Sequence, residues 1–109
     1  MIKPSTADPS PTESPLPEDR IAAARATHPE WQRVGESLQR TFCFASFGDA
    51  LAFMQDCAPD IERLNHHPEW TNRYDQVIVS LTTHDAGNRI TAKDVELAKT
   101  MEWIYRRFV

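Results

Sequence analysis

The hydrophobic period of this chain changes between its middle and its C-terminal third, and that change restricts the fold more than any other feature. Phe47, Ala50, Leu51, Met54, Cys57/Ala58, Ile61 and Leu64 recur at three-and-four spacing, which lays one apolar stripe along about five turns of helix. Farther on the spacing is two. Val77, Val79, Leu81 and Thr83 share one face, and Ile78, Ser80, Thr82 and His84 share the other, as in a strand with one face buried. Pro59 sits inside the helical stripe, where it removes a backbone hydrogen bond at a cost of about 3 kcal/mol unless relieved. Because the period runs through it, a kinked or two-part helix is expected. Pro68 is expected to end it.

The flanking segments complete the pattern. "RIAAARATH" reads as a first helix capped by Asp19 and stopped by Pro29. In "EWQRVGESLQRTFCF", Gly35-Glu36 has the form of a two-residue hairpin loop of type II′. Leu38, Arg40, Phe42 and Phe44 then line one face of the second strand. Thr91 caps a last helix, with Asp94 three residues on in a capping-box arrangement. The apolar side of that helix is Leu97, Ala98, Met101, Ile104, Tyr105 and Phe108. The order helix, strand, strand, helix, strand (one or two), helix predicts an α+β domain, an antiparallel sheet with helices on one face. The other sheet face would stay uncovered, and an open apolar half-sheet usually marks a subunit interface or a site wall.

Residues 1–19 hold five of the eight prolines and almost no large apolar side chains. Such a stretch buries too little surface to offset its conformational entropy, so a disordered tail is expected ahead of a single domain over 20–109. A net charge of −4 provides no electrostatic footprint for nucleic acid. No apolar run approaches the roughly 20 residues of a membrane helix, and no secretory signal is expected. Cys43 and Cys57 have neither metal-ligand nor redox spacing. They read as small buried hydrophobes in a cytoplasmic protein.

The tetrapeptide HPEW occurs at His28–Trp31 and again at His67–Trp70. The flanks share no hydrophobic period, so this is no structural repeat. The second copy carries more chemistry. Glu62 and His66 are four apart and would stack on the last helical turn, where a carboxylate can orient an imidazole. His67 must project differently, and His84 ends a strand. These three histidines could line one hollow, and imidazoles titrate where both acid and base forms coexist near neutral pH. Three readings stand beside one another: hydrogen-bonded structural residues, an acid–base site, or zinc. Against zinc, adjacent histidines chelate one ion poorly and no HExxH spacing is present, so no metal is expected.

Glu62, three residues, His66-His67-Pro68, five residues, Tyr74, nine residues, His84, nine residues and Asp94 together resemble the signature of the pterin-4a-carbinolamine dehydratase family. Members of that family also serve as a dimerisation cofactor of a homeodomain transcription factor. "FCFASFGDALAFM" and Leu97-Ala98 fit as well, so the likeness covers roughly Trp31 to Tyr105. It implies a four-stranded antiparallel sheet with three helices on one face, assembled as a homodimer or homotetramer. It implies a hydro-lyase that dehydrates 4a-hydroxytetrahydropterin to quinonoid dihydropterin and water, in support of tetrahydrobiopterin recycling. The pterin is substrate, no cofactor is needed, and a functional link to an aromatic amino acid hydroxylase is implied.

Carried onto this sequence, the resemblance makes His66 and His84 the acid–base pair and has His67 contact the pterin. Glu62 orients His66, and Trp31 walls the pocket. Asp94 is expected to act mainly through its capping box. Asn65 stands beside the histidine pair where some members carry Asp, which removes one possible charge. Asn88-Arg89 replaces the usual Gly-Leu, and asparagine tolerates the positive φ the turn would need. The alternative is a non-catalytic interaction module of the same fold, a transcriptional coregulator or an enzyme assembly factor.

Overall fold

The computed structural model describes residues 14–109. The elements run α1 (Glu18–Thr27), β1 (Gln32–Val34), β2 (Ser37–Cys43), α2 (Phe47–Leu64), β3 (Glu69–Arg73), β4 (Gln76–Leu81) and α3 (Ala92–Tyr105). The strands form one four-stranded sheet in the order β1-β2-β4-β3, antiparallel throughout. This is the expected α+β architecture, and the segment around Trp70 is a strand of its own.

The boundaries depart from expectation near the N-terminus. Through residue 13, the segment expected as a tail lies outside the described residues. From there on the chain is tied to the domain: Pro15 bridges Thr91, and the Leu16 N–H donates to the Ile90 carbonyl at 2.9 Å. Helix α1 starts at Glu18, ahead of Asp19, because the extended Pro17 already offers its carbonyl to the Arg20 and Ile21 N–H groups. Helix α2 runs through Pro59 as one helix of 18 residues, a helix rather than a loop as expected and in one piece. Pro59 and Gln55, the residue whose carbonyl loses its partner, are both exposed, so water can take the missing donor's place. The Gly35-Glu36 loop is as expected, with positive φ at Gly35 (+60°) and not at Glu36.

Periodicity becomes packing on the inner sheet face. Phe42, Val77, Val79 and Leu81 of the sheet meet Ala50 and Phe53 of α2 and Leu97 and Met101 of α3, all fully buried. Phe42 and Phe53 are tilted rings with centroids 4.8 Å apart, and Tyr105 sets its edge on Phe42 at 4.9 Å. Arg40 also points inward, with its guanidinium 4.4 Å above the Phe42 ring and Nε 2.8 Å from Glu102 Oε2. The same oxygen accepts the Trp31 Nε1–H at 2.8 Å. The part-buried arginine and the buried indole thus share one carboxylate, as a charge drawn partly out of water requires.

The outer sheet face differs from the apolar half-sheet contemplated from the sequence. Gln39, Ser80 and Glu69 lie in one cross-strand row, and Thr41, Ile78 and Thr71 in the next. Apart from Ile78 these are polar side chains, so the face is stable in water without a cover.

Candidate active site

The site is built where α2 stops. Asn65 takes the left-handed conformation (φ 50°, ψ 44°), and its N–H donates to the Glu62 carbonyl at 3.1 Å. The His66 N–H reaches back to the Ile61 carbonyl at 3.2 Å. These are the two bonds of a Schellman end. The helix therefore closes three residues before Pro68, and His66 lies beyond it rather than on its last turn.

That reversal sorts the two histidines. His66 turns inward and is buried, with Nε2 2.6 Å from Asp94 Oδ1. His67 stays outside, with Nε2 2.8 Å from Glu62 Oε1. The expected Glu62–His66 pair is thus corrected: Glu62 seats His67, and Asp94 seats His66. The cause is the αL residue at 65, which rotates the following side chain off the helical face. Asn65 itself is exposed, and its visible work is to end the helix.

Asp94 performs the expected capping and more. Its Oδ2 accepts the Thr91 N–H at 2.8 Å, completing the capping box of α3. The same oxygen accepts the Thr83 hydroxyl at 2.8 Å, while Thr83 Oγ1 is 2.7 Å from Thr91 Oγ1. A fully buried carboxylate thus has all its partners, placed at a helix N-terminus where negative charge is favoured.

His84 was expected at a strand end. Strand β4 stops at Leu81, and His84 begins a 3₁₀ turn over His84–Ala86. It is exposed, one residue from Thr83. Gly87 (φ 72°) and Asn88 (φ 60°) are both left-handed, so asparagine holds the turn as anticipated. A single hydrogen-bonded chain therefore joins His66, through Asp94, to Thr83, the residue preceding His84.

Trp31 is not placed as a site wall. Its ring is 1% exposed in the core, and the hollow it lines with Ala24, His28, Leu38 and Ala98 measures only about 10 Å³. A larger open hollow of about 370 Å³ lies between the end of α2 and the start of α3, lined by Arg63, Leu64, Ala92, Lys93 and Glu96. Among the described residues no three His, Cys, Asp or Glu side chains gather in a metal-holding group. Sequence reasoning missed Thr83 as a member of the network. The available signal was a hydroxyl on the inward face of an otherwise aliphatic strand, next to a candidate histidine.

Comparison with known proteins places the whole domain in one family. The family model for pterin 4 alpha carbinolamine dehydratase matches residues 14–104. A relative from Opitutus terrae, named provisionally as a pterin-4-alpha-carbinolamine dehydratase, is 54% identical over 74 residues, covering 68% of this chain and 74% of its own. A second, from Mesorhizobium japonicum and named in the same provisional way, is 45% identical over 92 residues, covering 83% and 93%. The crystal structure of a transcriptional coactivator/pterin dehydratase from Brucella melitensis superposes with a TM-score of 0.80 at 37% identity, over 84% of this chain and 99% of that one. With a family model matching residues 14–104 and relatives at this level of identity, the chain belongs to the pterin 4 alpha carbinolamine dehydratase family.

Proposed function

We propose that this protein dehydrates 4a-hydroxytetrahydropterin to quinonoid dihydropterin and water by histidine acid–base catalysis. The observation that carries this reading is His66 held on buried Asp94 within the same bonded network as the turn that bears His84. As the C4a–O bond breaks, its electron pair leaves with oxygen, which needs a proton. A ring nitrogen gives one up to a base. His66 and His84 take these two roles, each worth about 10²–10⁴-fold. His67, held by Glu62, contacts the pterin. The step is redox-neutral and needs no metal or other cofactor. The protein acts in the cytoplasm as a homodimer or homotetramer, restoring pterin for an aromatic amino acid hydroxylase.

The test is the rate of carbinolamine dehydration with purified protein. His66→Ala should lose about 10²–10⁴-fold, and the double variant His66→Ala/His84→Ala should match the uncatalysed rate. A wild-type protein that gives no acceleration would overturn the proposal. A second reading, a protein-binding module, draws on the coactivator half of the Brucella protein's name. It predicts a dominant partner in pull-downs that is retained by the double variant.

A further inference from the structure

Hydrogen counting in the buried network has a consequence for both histidines of the acid–base pair. Thr83 has one hydroxyl hydrogen, and at 2.8 Å from Asp94 Oδ2 it donates to that oxygen. The 2.7 Å contact between Thr83 Oγ1 and Thr91 Oγ1 must then be a bond donated by Thr91. Thr91 Oγ1 in turn accepts the Lys93 N–H at 3.2 Å. Donation therefore runs one way, from Lys93 through Thr91 and Thr83 into Asp94. The carboxylate, also holding the Thr91 N–H at 2.8 Å, is left as acceptor for Nε2–H of His66 at 2.6 Å. With Nε2 committed, Nδ1 is the ring atom of His66 available for proton exchange.

The backbone of Thr83 performs a second task. Its carbonyl accepts the N–H groups of Ala86, Asn88 and Arg89 at 3.2, 3.0 and 3.3 Å, and its own N–H donates to the Arg89 carbonyl at 3.0 Å. These bonds carry the whole turn on which His84 sits.

We propose that Thr83 is the positioning residue shared by the two histidines. Its hydroxyl directs the Asp94 carboxylate that presents His66 through Nδ1, and its peptide groups fix the turn of His84. This deepens the dehydratase reading and rests on it for the catalytic part only. Asp94 is the charged group bonded to His66, since Glu62 is engaged by His67. Without the Thr83 donor, Oδ2 of Asp94 keeps only the Thr91 N–H, and the carboxylate is free to turn away from His66.

The experiment uses ¹⁵N-labelled full-length wild type, Thr83→Val and Thr83→Ser, each checked for fold by circular dichroism. Two-bond ¹H–¹⁵N spectra of the wild type at alkaline pH should show His66 as the Nε2–H tautomer, and an Nδ1–H tautomer would overturn the proposal. In Thr83→Val the His66 ring nitrogens should lose the pure Nε2–H pattern, with kcat down roughly tenfold and KM little changed. Thr83→Ser should restore both. A folded Thr83→Val with the wild-type tautomer pattern and kcat would overturn the proposal, and Thr83→Ala takes its place if the valine variant does not fold. The spectra do not depend on turnover, so a wild type without dehydratase activity would sink the function while leaving the positioning judged by the tautomer in wild type and variants.

Discussion

At the scale of single residues, surroundings decide chemistry more than identity does. Cys43 is exposed, whereas Cys57 is packed inside α2, where burial pushes its thiol up to about 12. The raised value means the folded state keeps a proton that the unfolded chain releases near its ordinary value of 9.0. The stabilisation is full below that value and is lost as pH rises from about 9 towards 12. Alkylation with iodoacetamide at pH 8 should therefore label one cysteine of the native protein and both in denaturant. Cys57→Ala should flatten the alkaline fall in stability measured by denaturant titration. Rapid native labelling of both thiols would contradict the burial. The histidines show the same rule. The doublet marked His66 as a candidate site residue, but its partner was not legible. Four-residue spacing pointed to Glu62, and only the left-handed backbone at Asn65 hands His66 to Asp94, 28 residues away. No local pattern encodes that contact.

At the scale of elements, the end of α2 is the decisive joint. Asparagine tolerates φ near 50° where most side chains do not. Asn65→Ala should cost about 1 kcal/mol in chemical denaturation and loosen His66, while Asn65→Gly should be neutral or stabilising. Equal stability of the alanine variant would mean the helix ends some other way. The period-based elements were readable because apolar spacing is imposed by burial: α2, β4 and α3 fall where the stripes place them. Their ends were less readable. Schellman closure and the Pro17 carbonyl are backbone events, whereas the sequence advertises side chains such as Pro68 and Asp19. Tyr74 of the family signature, at φ 53° and 71% exposed, likewise occupies a strained turn that nothing in its identity announces.

At the scale of the whole molecule, three of the exposed large apolar side chains lie on helices, against one, Val34, on a strand. Phe47 and Leu51, 47% and 41% exposed, stand one turn apart on α2, and Trp103 on α3 is 63% exposed. The polar outer sheet face needs no partner, so assembly should proceed through these helical surfaces. Sedimentation equilibrium is expected to return two or four times the 12.5 kDa chain mass. Phe47→Glu/Leu51→Glu should lower that mass towards a single chain without changing the circular dichroism. A wild type sedimenting as a single chain at micromolar concentration would refute the assembly.

The layout of the bonded network along the chain matters beyond the site. Glu62, His66, His67, Thr83, Thr91 and Asp94 belong to one continuous stretch, with His84 inside it. Among the bonds that tie the N-terminal part to the rest is one outside that stretch, from Trp31 to the Glu102 carboxylate across 71 positions. The candidate site and most of the N-terminal surface are thus written in separate passages of the polypeptide. Substitutions can accumulate in the N-terminal passage, altering what that surface presents, without editing the candidate site.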